Sequence, residues 1–180
     1  LLCAACHDVS NPVYTRSPSG DYDLNTLDTE HPTHLKEDEF PIERTYSEWK
    51  MSEYAIRPVD TGGLFGGNQP EVSSCQDCHM PQVGGYGCRP DLGASFHTDL
   101  GQHPFNGANS WVLDSVRSLY PDNETGLDDE SVIAANARTL DMMQSAANLQ
   151  AFYIASGSSG ELVVRVINQT GHKLPTGYIE

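Results

Sequence analysis

Two five-residue stretches, C-A-A-C-H at Cys3, Cys6 and His7 and C-Q-D-C-H at Cys75, Cys78 and His79, constrain this chain more than any other feature. Two intervening residues let both sulfurs of a pair reach the two vinyl positions of one porphyrin as thioethers, and the histidine that follows then lies below the iron. Each motif therefore specifies one covalent haem c. Cys3 and Cys6, or Cys75 and Cys78, are the attachment points, and His7 or His79 is the proximal ligand. Two competing readings are weaker. A zinc site made from the same four cysteines does not require histidine at the same next position in both pairs. A dithiol redox motif needs a βαβ context that the chain lacks.

Two haem groups also account for an apolar deficit. Only 38% of the 180 residues are hydrophobic, tyrosine included, which is low for a domain that folds on side-chain packing alone. A macrocycle held among Gly- and Pro-rich loops supplies apolar surface and cross-links, and without it the first hundred residues are expected to be disordered. Ten Lys and Arg against 25 Asp and Glu leave a net charge of −15, which argues against nucleic acid and anionic membrane surfaces as partners. No stretch approaches the roughly 20 apolar residues of a membrane span. Thioether attachment takes place outside the cytoplasm, so the expected location is periplasmic or extracellular, with a signal peptide removed or lying outside this sequence.

Along the chain, residues 1–20 read as loop and the acidic stretch 21–40 as a solvated excursion. Ile42, Tyr46, Trp49 and Tyr54 space helically after Pro41, which predicts a helix over 41–56. Residues 60–110 are rich in Gly, Pro and Asn and carry little periodicity. Residues 128–150 form the strongest helical pattern, with Asp128 or Asp129 as cap. Two strands around a Ser/Gly turn follow, the second alternating Leu162, Val164 and Val166. The expected fold is a mostly irregular, haem-packed chain with a few α-helices and a C-terminal β-hairpin belonging to a β-sandwich. Its expected divisions are a haem-binding region over 1–127, a helix over 128–150 and the start of a β-rich region over 151–180. A hairpin alone is marginally stable, so the chain reads as a fragment of a larger multihaem protein.

Two irons need at most two further ligands, and five histidines are left after His7 and His79. His103 in "GQHPFNGANSW" and His172 in "TGHKLPTGY" are flanked by small or rigid residues, which let a haem approach the backbone and fix the imidazole. They are the leading distal ligands. His31 and His34 in the acidic loop, and His97 in "SFHTDL", are secondary candidates; a surface histidine in a turn is the bland alternative for each. Cys88 reads as a structural thiol. Asp21, Asp23, Asp28 and Glu30 lack the spacing of a calcium loop and read as a solvated face.

The pieces "CAACHDVSNPVY", "ERTYSEWKMSEYA", "CQDCHMP", "HPFNGAN" and "GHKLPTG", in this order, resemble a family of bacterial multihaem c-type cytochromes. The resemblance touches most of the chain from Cys3 to Gly177. It implies bis-histidine haems, a haem-packing segment around Arg44, Tyr46 and Trp49, and distal histidines at His103 and His172. Relatives of this kind commonly carry more than two CxxCH motifs, so His172 is expected to reach iron bound to a distant CxxCH, in a missing segment or a neighbouring subunit.

Closed, six-coordinate irons leave no position for a substrate, and the expectation is electron transfer, in a longer relay or a polymeric extracellular wire. The expected partners are redox proteins, further haem subunits or copies of the same chain. An oxidoreductase acting on a small nitrogen or sulfur compound, or a haem-based sensor, would need one open iron. The surplus of histidines argues against both.

Overall fold

The computed structural model describes residues 2–65 and 69–177. The chain divides into two compact units, residues 1–56 with 171–180 and residues 57–170. This division cuts across the boundaries expected at 127 and 150. The physical reason is a long-range one: residues 171–177 return to the first unit and are held there by hydrogen bonds, described below.

In the first unit, a 3₁₀ turn at Cys3–Ala5 leads into β1 (Ser10–Arg16), β2 (Tyr22–Leu24) and β3 (Glu39–Pro41). The order is β2-β1-β3, all antiparallel, with Tyr14 opposite Leu24 and Ser10 opposite Pro41. Val13, Tyr14 and Thr15 suit a pleated surface, and the turn back into β2 closes where Gly20 donates to the Ser17 carbonyl at 2.9 Å with a φ of 96°. Phe40 packs on Tyr14 and Tyr22 at 5.8 and 5.0 Å between ring centroids. These strands correct the expectation of loop over 1–20 and of a featureless excursion over 21–40. Strands this short show no period, and cross-strand contacts hold them instead. The acidic side chains Asp21, Asp23, Asp28 and Glu30 are exposed, as read.

The helix expected over 41–56 is two pieces, α1 (Thr45–Lys50) and α2 (Glu53–Ile56). Pro41 closes β3 rather than opening the helix. Ser52 ends α1 by donating both its amide and its hydroxyl to the Trp49 carbonyl, at 2.9 and 2.7 Å.

The second unit contains β4 (Val59–Asp60) paired with β5 (Glu71–Val72), α3 (Cys75–His79), and β6 (Gln82–Tyr86) paired with β7 (Phe96–Gly101). Then follow α4 (Val112–Leu119), α5 (Asp122–Thr125), α6 (Asp129–Ala146) and the hairpin β8 (Ala147–Ser156) and β9 (Ser159–Asn168). Asp128 caps α6 by accepting from the Ser131 amide at 2.8 Å. Val132, Thr139 and Ala146, spaced by sevens, form its buried stripe. The helix stops at Ala146 because β8 begins at once. Among the described residues no helix is long and apolar enough to cross a membrane.

The hairpin pairs in full register from Ala147 opposite Asn168 to Ser156 opposite Ser159. Alternation places Leu149, Tyr153, Leu162, Val164 and Val166 on one face, all exposed. Among the described residues this hairpin stands as a two-stranded sheet and joins no sandwich. Together with the strands at 10–41 and 82–101, it makes the chain richer in small antiparallel sheets than the mostly irregular fold expected from sequence.

Very little of the apolar material is packed away. Among the described residues the buried hydrophobic ones are Phe65, Val72, Val132 and Ala146. The chain exposes 12925 Å² at a mass of 19.7 kDa, where general size scaling gives about 8,600 Å² for one folded domain and about 10,000 Å² for two sharing that mass. The chain therefore exposes more surface than that scaling gives for either case. Val72, 1% exposed, is the best-packed side chain and lies three residues before Cys75. Val72→Ala should lower the unfolding free energy by about 2 kcal/mol, read by denaturant unfolding, while Leu149→Ala on the exposed sheet face changes it by less than about 0.5 kcal/mol.

Candidate haem-attachment sites

At the first motif, the amides of Cys6 and His7 both donate to the Cys3 carbonyl, at 3.1 and 2.8 Å. This single tight turn presents both sulfurs and the imidazole from five residues of chain. Cys3 is partly buried and Cys6 exposed, both as free thiols. His7 Nδ1 lies 2.8 Å from Glu43 Oε1, and Glu43 is buried, 5% exposed. A carboxylate that accepts from Nδ1 fixes the tautomer and leaves Nε2 as the basic nitrogen that binds metal. The backbone around it is pinned from several sides. Tyr46 donates its amide to the His7 carbonyl at 2.9 Å, and Arg44 Nη1 donates to the Val9 carbonyl at 2.9 Å. The buried Asp8 accepts from Lys36 Nζ and from Ser47 Oγ, the latter at 2.9 Å.

Residues 171–177 close onto α1 in this same unit. Lys173 donates its amide to Glu48 Oε2 at 3.0 Å, and Thr176 Oγ1 donates to the same oxygen at 2.7 Å. The Thr45 hydroxyl lies 3.0 Å from that of Thr176 and 3.2 Å from Glu43 Oε1. Gly171 passes so close to α1 and α2 that a Cβ there would meet Trp49 Cδ1 at 3.2 Å and Tyr54 Cδ2 at 3.3 Å, so only glycine fits without a shift. His172 Nδ1 donates to the Lys173 carbonyl at 2.9 Å, which makes Nε2 the basic nitrogen of the ring. Tyr46 and Trp49, the segment implied as haem packing, stack at 5.6 Å and 30°.

At the second motif the whole of C-Q-D-C-H is helical, as α3. Ser74 caps it: Ser74 Oγ accepts from the Asp77 amide at 3.3 Å, while the Asp77 carboxylate accepts from the amides of Ser74 at 2.8 Å and Ser73 at 3.0 Å. Burial alone would push the Asp77 carboxyl up, but the hydrogen bonds from Ser73 and Ser74 outweigh it and hold the group below the ordinary carboxylate range. The Cys78 thiol is pushed up to about 11, first by burial and then by the charges of Asp77 and Cys75, which keeps it a neutral thiol in the unattached chain.

The other histidines separate by environment. The β6–β7 hairpin pairs Gln82 with Gly101, and Gln102 donates its amide to the Pro81 carbonyl at 3.0 Å. The chain thus brings exposed His103 back beside the end of α3, where its ring rests on Phe105 at 4.5 Å. His97 is exposed on β7 opposite Gly85. His34 is exposed, with a left-handed φ of 54° and Nε2 3.7 Å from Glu30. His31 is buried, 8% exposed, and both ring nitrogens are engaged: Nε2 lies 3.0 Å from Thr15 Oγ1 and Nδ1 3.3 Å from Thr33 Oγ1. That environment makes His31 a structural tie between β1 and its loop rather than an available ligand. Cys88 is exposed, with Sγ 3.9 Å from the Arg89 carbonyl.

Each unit therefore holds one CxxCH and one of the two leading distal histidines: His7 with His172, and His79 with His103. Among the described residues no group of three or more His, Cys, Asp or Glu side chains comes together to hold a bare metal ion. Haem c needs none, because its cysteines bond carbon and only histidine meets iron. The donor set fits haem c in that respect. Residues that sequence reasoning missed are Glu43, Glu48 and Thr176, whose roles arise from contacts 36 to 131 residues apart and leave no local signal. No family model matches the chain, and neither does any curated protein or any solved structure.

Ser74→Ala removes the cap of α3 and should cost about 1 kcal/mol, measured by chemical denaturation. The Asp77 contribution to stability is fully present above the ordinary carboxylate pKa and is lost as pH falls through the lower folded value. Comparing acid unfolding of the wild type and Asp77→Asn should therefore show their stabilities converging only at low pH.

Proposed function

We propose that the chain is an electron-transfer module carrying two covalent haem c groups, one in each unit, with closed bis-histidine coordination. Cys3 and Cys6 hold the first group, with His7 and His172 as its axial ligands. Cys75 and Cys78 hold the second, with His79 and His103. The observation that carries this reading is the distribution of one attachment motif and one leading distal histidine to each unit, with the Nδ1 atoms of His7 and His172 in the first unit beside oxygen acceptors. On this pairing the iron reached by His172 is far away in sequence but lies in the same unit.

The bound groups supply a one-electron couple; the polypeptide's own residues bind them, orient the imidazoles and cover their faces. The exposed apolar side chains and the 12925 Å² of surface fit a chain whose core is completed by macrocycles. With both axial positions filled by histidine, no coordination site is left for a substrate, so the activity is transfer between redox partners, in a relay or between copies of the chain. Because thioether attachment takes place outside the cytoplasm, the location that goes with this reading is periplasmic or extracellular.

Protein matured with its haem-attachment machinery should show the mass of two haem groups on the intact chain and a low-spin spectrum in both oxidation states. His172→Ala and His103→Ala should each convert one haem to a high-spin form that binds carbon monoxide, and the double variant both. An unaltered low-spin spectrum in either single variant would remove that histidine from the ligand set, and a chain without covalent haem would overturn the proposal.

A further inference from the structure

We infer that Glu43 is a positioning residue that sets the reduction potential of the first haem, by placing a buried negative charge on the proximal imidazole of His7. The inference rests on the reading of His7 as an iron ligand and goes beyond it.

The geometry is that of a charge-assisted hydrogen bond: His7 Nδ1 and Glu43 Oε1 are 2.8 Å apart, and the Glu43 side chain is 6% exposed against 46% for His7. Such bonds are roughly twice as strong as those to a neutral carbonyl, and low exposure of the acceptor weakens solvent screening. The cations of the same segment do not discharge this carboxylate. Arg44 spends its guanidinium on the carbonyls of Val9, Glu43 and Lys36, and Lys36 Nζ is bound to Asp8. Among the described residues Oε1 also accepts from the neutral Thr45 hydroxyl at 3.2 Å.

Negative charge drawn onto the imidazole makes it a stronger donor to iron and stabilises the oxidised, more positive state. The potential is then lower than a neutral acceptor at the same position would leave it. Glu43 also borders the segment that carries His172, through Thr45 and Thr176 and at Gly177, whose added Cβ would lie 3.6 Å from Glu43 Oε1. Removing the side chain therefore disturbs packing as well as charge. Glu43→Gln keeps the shape and an acceptor oxygen while removing the charge, and it separates the two effects.

The test is a spectroelectrochemical titration of the haem-loaded wild type, Glu43→Gln and Glu43→Ala, with intact mass to count haem groups. In Glu43→Gln both groups remain attached and low-spin, and one of the two midpoints rises. At the wild-type midpoint the reduced-to-oxidised ratio of that haem should increase about tenfold, the equivalent of ~59 mV for one electron. Two attached low-spin haems with both midpoints unchanged would overturn the inference while leaving the haem assignment intact. Should neither variant load haem, electron paramagnetic resonance of the oxidised wild type decides: one of the two low-spin signals narrows in g-spread, as imidazolate character requires, and two ordinary neutral-imidazole signals would overturn it. A wild-type chain without covalent haem overturns the reading of His7 and this inference together.

Discussion

The contact on which the first unit most depends is the one between His7 and the buried carboxylate of Glu43. It joins the five-residue turn at residues 3–7 to the start of α1, and α1 in turn receives residues 171–177 through Glu48, Thr45 and Thr176. Three stretches far apart in sequence are thus held by oxygen acceptors on one short helix and the residue two before it. Apolar packing does not do this here. Among the described residues the unit contributes none to the buried hydrophobic set, and its most buried side chains include Asp8, His31 and Glu43. Hydrogen bonds to charged acceptors are worth more than neutral ones and are directional, which suits a site whose imidazoles must face a fixed point.

The same scarcity of buried apolar surface shapes the rest of the molecule. The second unit rests on Phe65, Val72, Val132 and Ala146, a core too small to exclude water from its loops. Large side chains such as Phe105, Trp111 and Leu119 stay more than half exposed. On the proposed reading a macrocycle takes the place of the missing side chains, and the attachment motifs serve stability as well as redox chemistry. Short sheets with few interior contacts then suffice, because each has only to support a covalently tethered ring.

Much of the site was readable from residue types at fixed spacing. The two CxxCH motifs, the Asp128 cap of α6 and the alternation of β9 are local patterns, and local patterns survive without knowledge of the fold. The strands β1, β2 and β3 were not readable: their burial alternates poorly and their partners are supplied from elsewhere in the chain. His31 looked equivalent to His34, since both sit in one acidic loop. They are distinguished by the accident that Thr15 and Thr33 close around one of them, which no periodicity encodes.

By itself the sequence determined the local chemical pattern: two cysteines and a histidine at the same spacing occur twice, and on the proposed reading thioether attachment and a proximal ligand follow from that spacing alone, because it lies within a single turn of chain. It also determined the lack of a self-sufficient apolar core, which follows from composition. Only the tertiary structure decided which histidine shares a unit with which motif, and that a carboxylate 36 residues away would grip Nδ1 of His7. Those are long-range contacts, settled by where the chain returns to itself, and the energy of each depends on burial that no short segment possesses alone.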